Sequence, residues 1–134
     1  MPTVKTEYSG QLRTLSTHLQ SGKEVISDAP LDNHGKGEYF SPTDLVATAL
    51  GACILTIIGI EAEKHNFSIE NSYVETTKIM GTNPRRIVEV KLDFYFPGNN
   101  FSEKEKKIIT NSAQLCPVAK SIHPDIHQNI TMLW

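Results

Sequence analysis

The hydrophobic and polar positions of this chain alternate in short segments, give way to one long apolar segment, and then alternate again. Alternation with β-branched residues predicts β-strands. Three short strands are predicted first, at Thr3–Tyr8, Leu12–His18 and Glu24–Ser27, separated by turn signals at Ser9-Gly10 and Ser21-Gly22. Residues 28–39, which contain proline and several glycines, are predicted to form a loop.

The long apolar segment has a defined helix start. Ser41 is a good N-cap, Pro42 suits the first helical position, and Asp44 stands three residues after the cap. Apolar residues fall on nearly every face of this helix, which we expect to end near Lys64. A helix of this kind is usually buried.

The second half of the chain repeats the mixture. Two long strands are predicted at Phe67–Met80 and Ile87–Phe96, and a helix is predicted from the capping box of Ser102 through Gln114. A short helical turn follows Pro117, and the tail Asn129–Trp134 is predicted to be a last strand. Consecutive strands predict an α+β fold with antiparallel sheets.

The bulk properties limit the possible functions. The 134 residues are enough for a single domain spanning residues 1–134, with 39% hydrophobic and 21% charged positions. A net charge of -2 without a basic block argues against nucleic acid or an anionic membrane as a partner. The start of the chain lacks the apolar core of a signal peptide, and the apolar run Leu45–Ile60 is short for a membrane span, so we expect a cytoplasmic protein. The excess apolar helix surface predicts a homodimer.

Two cysteines are the main candidates for chemistry. Cys53 lies in the apolar helix, where a thiol is usually an inert small hydrophobe. Cys116 precedes Pro117 at a joint between helical pieces, where free backbone N–H groups favour a thiolate. A disulfide would need their Cα atoms within roughly 7 Å, which the sequence leaves open. His123 and His127 match no standard zinc spacing, so no metal is expected. Chemistry at the thiols needs no other cofactor.

Two separated motifs in register resemble the OsmC/Ohr family of small dimeric thiol-dependent hydroperoxide reductases. They are Ser41-Pro-Thr-Asp-Leu with Ala49-Leu-Gly-Ala-Cys53, and Cys116-Pro-Val-Ala-Lys120. Supporting pieces are Gly10-Gln-Leu-Arg13, Ser27-Asp28-Ala-Pro30 and the loop from Gly35 to Phe40. The resemblance covers essentially the whole chain and implies an OsmC-like fold, with antiparallel sheets wrapped around central helices in an intertwined homodimer.

The resemblance also implies roles for individual residues. Cys53 matches the peroxidatic cysteine, whose thiolate attacks the peroxide and becomes a sulfenic acid. Cys116 matches the resolving cysteine, which forms a disulfide that an external dithiol reduces. Arg13 matches the arginine that activates the thiolate. The apolar surroundings of Cys53 favour organic hydroperoxides as substrates.

One position departs from the organic hydroperoxide resistance branch of the family. The glutamate that orients the arginine there, directly after the proline, is replaced by Thr43, and the acid follows at Asp44. Nine residues of regular helix put Asp44 and Cys53 on opposite sides, roughly 13.5 Å apart along the axis. A catalytic role for Asp44 is therefore indirect, through Arg13 or across a dimer interface. The capping box alternatively explains Asp44 without any catalytic role. Glu38 is a second candidate acid.

Two other interpretations stay open. The chain is alternatively an OsmC-like stress or small-ligand-binding protein with little peroxidase turnover, which the replacement at Thr43 favours. It is also consistent with a structural dimer whose thiols are inert.

Overall fold

A computed structural model describes all residues, 1–134. The elements follow in the order β1 Val4–Gly10, β2 Arg13–His18, β3 Glu24–Asp28, α1 Pro42–Lys64, β4 Tyr73–Gly81, β5 Arg86–Tyr95, α2 Glu103–Ser112, α3 Pro117–Ser121 and β6 His127–Leu133. This confirms the predicted α+β order. The chain divides into two compact units, Met1–Val46 and Ala47–Trp134. The single domain over residues 1–134 stays a prediction.

The N-terminal unit is an antiparallel sheet of three strands in the order β1-β2-β3. The turn between β1 and β2 is tight, with Gly10, Gln11 and Leu12 all at positive φ. In the β2–β3 hairpin, Arg13 is the direct partner of Asp28. The following loop returns to the same end of β3, where Phe40 bridges Ser27 and its carbonyl accepts the N–H of Asp28 at 2.9 Å. The loop therefore brings residues just before Phe40 towards the Arg13–Asp28 pair.

The capping box predicted at the start of α1 is confirmed. The Ser41 N–H donates to Asp44 Oδ2 at 2.9 Å, and the Asp44 N–H donates to Ser41 Oγ at 3.0 Å. These two bonds satisfy backbone donors that no helical carbonyl can reach.

The C-terminal unit packs most of α1 on a sheet ordered β4-β5-β6. Gly51 permits the close approach, because a Cβ built there would lie 3.0 Å from Thr76 Oγ1 and 3.2 Å from Val74 Cγ1. Buried apolar side chains from α1, from β5 and the residue after it, from α2 and from the segment after α2 form the core: Ala47, Leu50, Ile54, Ile58, Val90, Leu92, Phe94, Phe96, Ile109, Ala113 and Cys116.

The sheet differs from the prediction at two places. The β4–β5 pair is antiparallel as predicted, but β6 runs parallel to β5. The reason is that β6 returns after α2 and α3, a crossover long enough to join parallel strands. The second difference is the start of β4 at Tyr73, because residues 67–72 turn before it, with Asn71 at positive φ and a Ser72 N–H to Ile69 carbonyl bond.

The second predicted capping box is also confirmed. Ser102 accepts the Glu105 N–H, and the Glu105 side chain accepts the Ser102 N–H, which starts α2. A 3-10 turn at residues 113–115 then leads to Cys116. The extended backbone of Cys116 separates this turn from α3.

By length and composition alone, α1 is apolar enough to cross a membrane. Core helices of soluble proteins meet the same criterion, so a single helix of this kind is a weak indication of a membrane span. Of its most apolar 18-residue window, 33% is buried in the structure.

Candidate functional site: a thiol pair and an arginine held by two carboxylates

The two cysteines meet in the C-terminal unit. Cys53 is half-buried on α1, whereas Cys116 is fully buried, and both are free thiols. Cys53 packs against the core cluster that contains Cys116, and it lies close enough to raise the pKa of the Cys116 thiol. Tertiary structure therefore brings these two side chains, which are far apart in sequence, close to each other.

Local structure fixes the position of Cys116. Pro117 occupies the first turn of α3, so Cys116 takes an extended conformation and becomes the N-cap. Its sulfur accepts the N–H of Ala119 at 3.4 Å. A sulfur in this position faces backbone donors rather than solvent.

The surroundings of Cys116 keep its proton on. Burial raises the pKa of the Cys116 thiol, and the hydrogen bond with Cys53 raises the pKa further. The N–H groups of Ala119 and Val118 act in the opposite direction, but the pKa remains above its ordinary value. At neutral pH Cys116 is therefore a thiol that can be deprotonated only as it reacts, which suits a second, resolving step better than a first attack.

The N-terminal unit contains a second cluster, centred on Arg13. Its Nε and Nη2 donate to the two oxygens of Asp28 at 2.7 and 2.8 Å, a bidentate pair. Nη2 also donates to Glu38 Oε1 at 2.7 Å, and the guanidinium lies over the ring of Tyr39, 4.7 Å from its centroid. Three side chains thus hold Arg13 in one orientation.

Charge and hydrogen bonding stabilise the ionised forms in this cluster. The Arg13 guanidinium lowers the pKa of Asp28, and the backbone N–H of Glu38, which donates to Asp28 at 3.1 Å, contributes in the same direction. The two carboxylates in turn raise the pKa of Arg13. The cluster carries one positive and two negative charges at neutral pH.

Arg13 also borders open space. It lines a surface cavity of about 280 Å³ together with Ser9, Gly10, Gln11 and Lys36.

Asp28 is the residue that sequence reasoning missed, although it lies inside one of the motifs. The signal was available, because a β2–β3 hairpin folded at Ser21-Gly22 pairs Arg13 with Asp28. Glu38, which the sequence offers as a second candidate acid, contacts Arg13 directly. Asp44 is found in the cap of α1, paired with Ser41.

Comparison with known proteins adds the family. The profile described as OsmC-like protein matches residues 35–131. A crystal structure from Psychrobacter arcticus, of a protein provisionally described as an osmotic stress induced and detoxification response protein, is 51% identical. The similarity covers 99% of this chain and 96% of that one, with a TM-score of 0.95. No curated protein matches the chain significantly.

More distant structures share the fold. An organic hydroperoxide resistance protein OsmC from Legionella pneumophila is 16% identical over 100% of this chain and 98% of that one, with a TM-score of 0.77. An organic hydroperoxide resistance protein from Elizabethkingia anophelis is 18% identical over 98% and 96% of the two chains, with a TM-score of 0.75. These two structures show the shared fold, whereas the profile match and the Psychrobacter structure establish that this chain belongs to the OsmC-like protein family.

Proposed function

We propose that the protein is a thiol-dependent peroxidase that reduces organic hydroperoxides. The observation that carries the proposal is the contact between the half-buried Cys53 and the buried Cys116. Membership of a family with relatives described as organic hydroperoxide resistance proteins supports the same chemistry.

The reaction proceeds in three steps. The Cys53 thiolate attacks the outer oxygen of the hydroperoxide, an S–O bond forms, the O–O bond breaks, and the alkoxide leaves as an alcohol after taking a proton. The Cys116 thiol then attacks the Cys53 sulfenic acid, which releases water and forms the Cys53–Cys116 disulfide. An external dithiol reduces this disulfide by exchange and is itself oxidised.

The more accessible sulfur is the appropriate first nucleophile. Cys53 is the partly exposed member of the pair, so a peroxide reaches it before Cys116. Its neighbours on α1, among them Ala49, Ala52 and Ile57, are apolar and suit a substrate with an apolar tail.

Arg13 is the proposed activating cation. A permanently charged guanidinium with planar donors stabilises both a thiolate and a developing oxyanion. Asp44 enters the proposal only indirectly, because it caps the helix that carries Cys53.

A homodimer is part of the proposal. Residues on one stripe of α1 remain exposed although they are apolar, including Ala49, Ala52 and Ile60. The N-terminal sheet likewise exposes Val4, Tyr8 and Val25. A second copy of the chain would cover such surfaces.

We further propose a cytoplasmic location, since a reducing compartment keeps both thiols available for turnover.

Two observations favour the second candidate, a small-ligand-binding protein with little turnover. Arg13 is already neutralised by Asp28 and Glu38, and the usual glutamate after the proline is replaced by Thr43. In this alternative the two thiols take no part in the function.

Peroxide consumption by cysteine variants separates the two functions. With cumene hydroperoxide and excess dithiothreitol, the wild type should consume peroxide and Cys53→Ser should not. Cys116→Ser should still react in its first turnover, because it keeps the peroxidatic thiol. Equal consumption by the wild type and Cys53→Ser would contradict the peroxidase assignment and favour the binding protein.

A further inference from the structure

The two carboxylates around Arg13 are held very differently. Asp28 is buried, with its side chain 1% exposed, and it pairs with Arg13 across the β2–β3 ladder. Glu38 contacts the same guanidinium from a loop, with its side chain 62% exposed. A buried bidentate pair is rigid, whereas an exposed ion pair of this kind contributes little stability and exchanges readily with solvent.

The atoms used by each acid matter. A guanidinium offers two edges that can bind a planar anion through two parallel hydrogen bonds, one at Nε and Nη2 and one at Nη1 and Nη2. Asp28 fills the first edge. Glu38 takes the remaining Nη2 hydrogen, which belongs to the second edge.

We propose that Asp28 and Glu38 are positioning residues for Arg13 with unequal parts: Asp28 fixes the guanidinium, and Glu38 occupies the edge that an incoming anionic oxygen must take. Glu38 is then a built-in competitor that leaves when Arg13 engages a thiolate or a peroxide oxygen. This inference rests on the proposed function only in naming that oxygen.

The surroundings of Arg13 are consistent with such an exchange. Tyr39 covers one face of the guanidinium. The N–H donors lie in the guanidinium plane, so an anion that accepts hydrogen bonds from them approaches in that plane. The cavity lined by Arg13 and Lys36 gives access from solvent, and Lys36 adds a second positive charge there. Asp28 additionally accepts the Glu38 N–H, which keeps the loop attached when the Glu38 side chain leaves.

Acetate is a suitable probe, since it has the planar oxygens of a carboxylate and needs no turnover. Its binding can be followed by the chemical shift and exchange rate of the Arg13 Nε–H in NMR spectra. We expect Glu38→Gln to bind acetate at least about tenfold more tightly than the wild type, the size of one charge-assisted hydrogen bond regained. Protection of the Nε–H should be retained in this variant.

Asp28→Asn should instead change the other measurement, the exchange of the Arg13 Nε–H with solvent. The Nε–H should exchange at least about tenfold faster, because its charged acceptor is lost. Glu24→Gln removes a carboxylate from the exposed end of the same β3 strand and should match the wild type in both measurements. Equal acetate affinity of Glu38→Gln and the wild type, or unchanged Nε–H exchange in Asp28→Asn, would overturn the inference.

The rate of Cys53 oxidation by cumene hydroperoxide then connects the inference to function. We expect Glu38→Gln to oxidise at least as fast as the wild type, with any gain appearing as a lower KM, and Asp28→Asn to oxidise at least about tenfold more slowly. An equal loss of Cys53 oxidation rate in Glu38→Gln and in Asp28→Asn would also overturn the proposal that the two acids have unequal parts. The expected acetate and NMR results without peroxide oxidation in any variant would reject the peroxidase and leave the positioning of Arg13 supported.

Discussion

Cys53 on α1 packs against the core cluster that contains Cys116, at the start of α3, and lies close enough to raise the pKa of the Cys116 thiol. Their environments differ, since Cys53 is half-buried and Cys116 is fully buried. This asymmetry assigns the two thiols different tasks in the proposed cycle, first attack for Cys53 and resolution for Cys116.

The raised pKa of Cys116 predicts selective labelling. Near neutral pH, iodoacetamide should modify Cys53 well before Cys116, because Cys116 is both protonated and inaccessible. Peptide mapping by mass spectrometry after short exposure measures the two rates. Faster labelling of Cys116 would contradict the assignment of the first nucleophile, and absence of labelling at both positions would favour inert thiols.

The same raised pKa makes the stability of the reduced protein dependent on alkaline pH. A folded-state pKa above the unfolded value stabilises the fold below the unfolded value of about 8.5, and this contribution is lost as the pH rises through the folded value. Urea unfolding under reducing conditions should therefore show a decline above about pH 8.5 that is smaller in Cys116→Ser. Identical pH profiles of the wild type and Cys116→Ser would contradict a contribution of Cys116 to the alkaline loss of stability.

Asp28 predicts a dependence at acid pH with the opposite sign. Its pKa is lowered by Arg13, so its contribution to stability is present above the unfolded value of about 3.9 and is lost as the pH falls towards the folded value. Urea unfolding between pH 7 and pH 2.5 should show a decline at the acid end that Asp28→Asn largely lacks. Glu24→Gln, on the same strand, should keep the wild-type decline; an equal change in both variants would contradict the specific pairing of Asp28.

The α1 cap separates stability from catalysis at Asp44. Ser41→Ala and Asp44→Ala each remove half of the capping box and should destabilise the protein by about 0.5–2 kcal/mol. If capping is the whole contribution of Asp44, both variants should lose peroxidase activity to the same small extent at a temperature where both are folded. A loss in Asp44→Ala well beyond that in Ser41→Ala would show a catalytic contribution that capping does not explain.

The parts of the fold that local sequence determines were predictable. Ser41 with Pro42 starts α1, Ser102 starts α2, and Pro117 places Cys116 at a joint, because each of these signals acts on its own neighbouring backbone. The parallel β5–β6 pairing was not predicted, since it depends on how a whole crossover folds.

The candidate site shows the same division. The local position of each cysteine could be read from the sequence, whereas their contact depends on the packing of α1 against the segment after α2. The Arg13–Asp28 pair was within reach of a register argument, but the contact with Glu38 depends on an irregular loop.

The most direct test of the account is to map the thiols of reduced protein after exposure to one equivalent of cumene hydroperoxide. Peptide mass spectrometry should find both thiols lost and one disulfide joining Cys53 to Cys116, because a sulfenic acid condenses with an adjacent thiol. Two surviving thiols, with the peroxide unconsumed, would contradict the peroxidase and leave an OsmC-like binding protein as the better description.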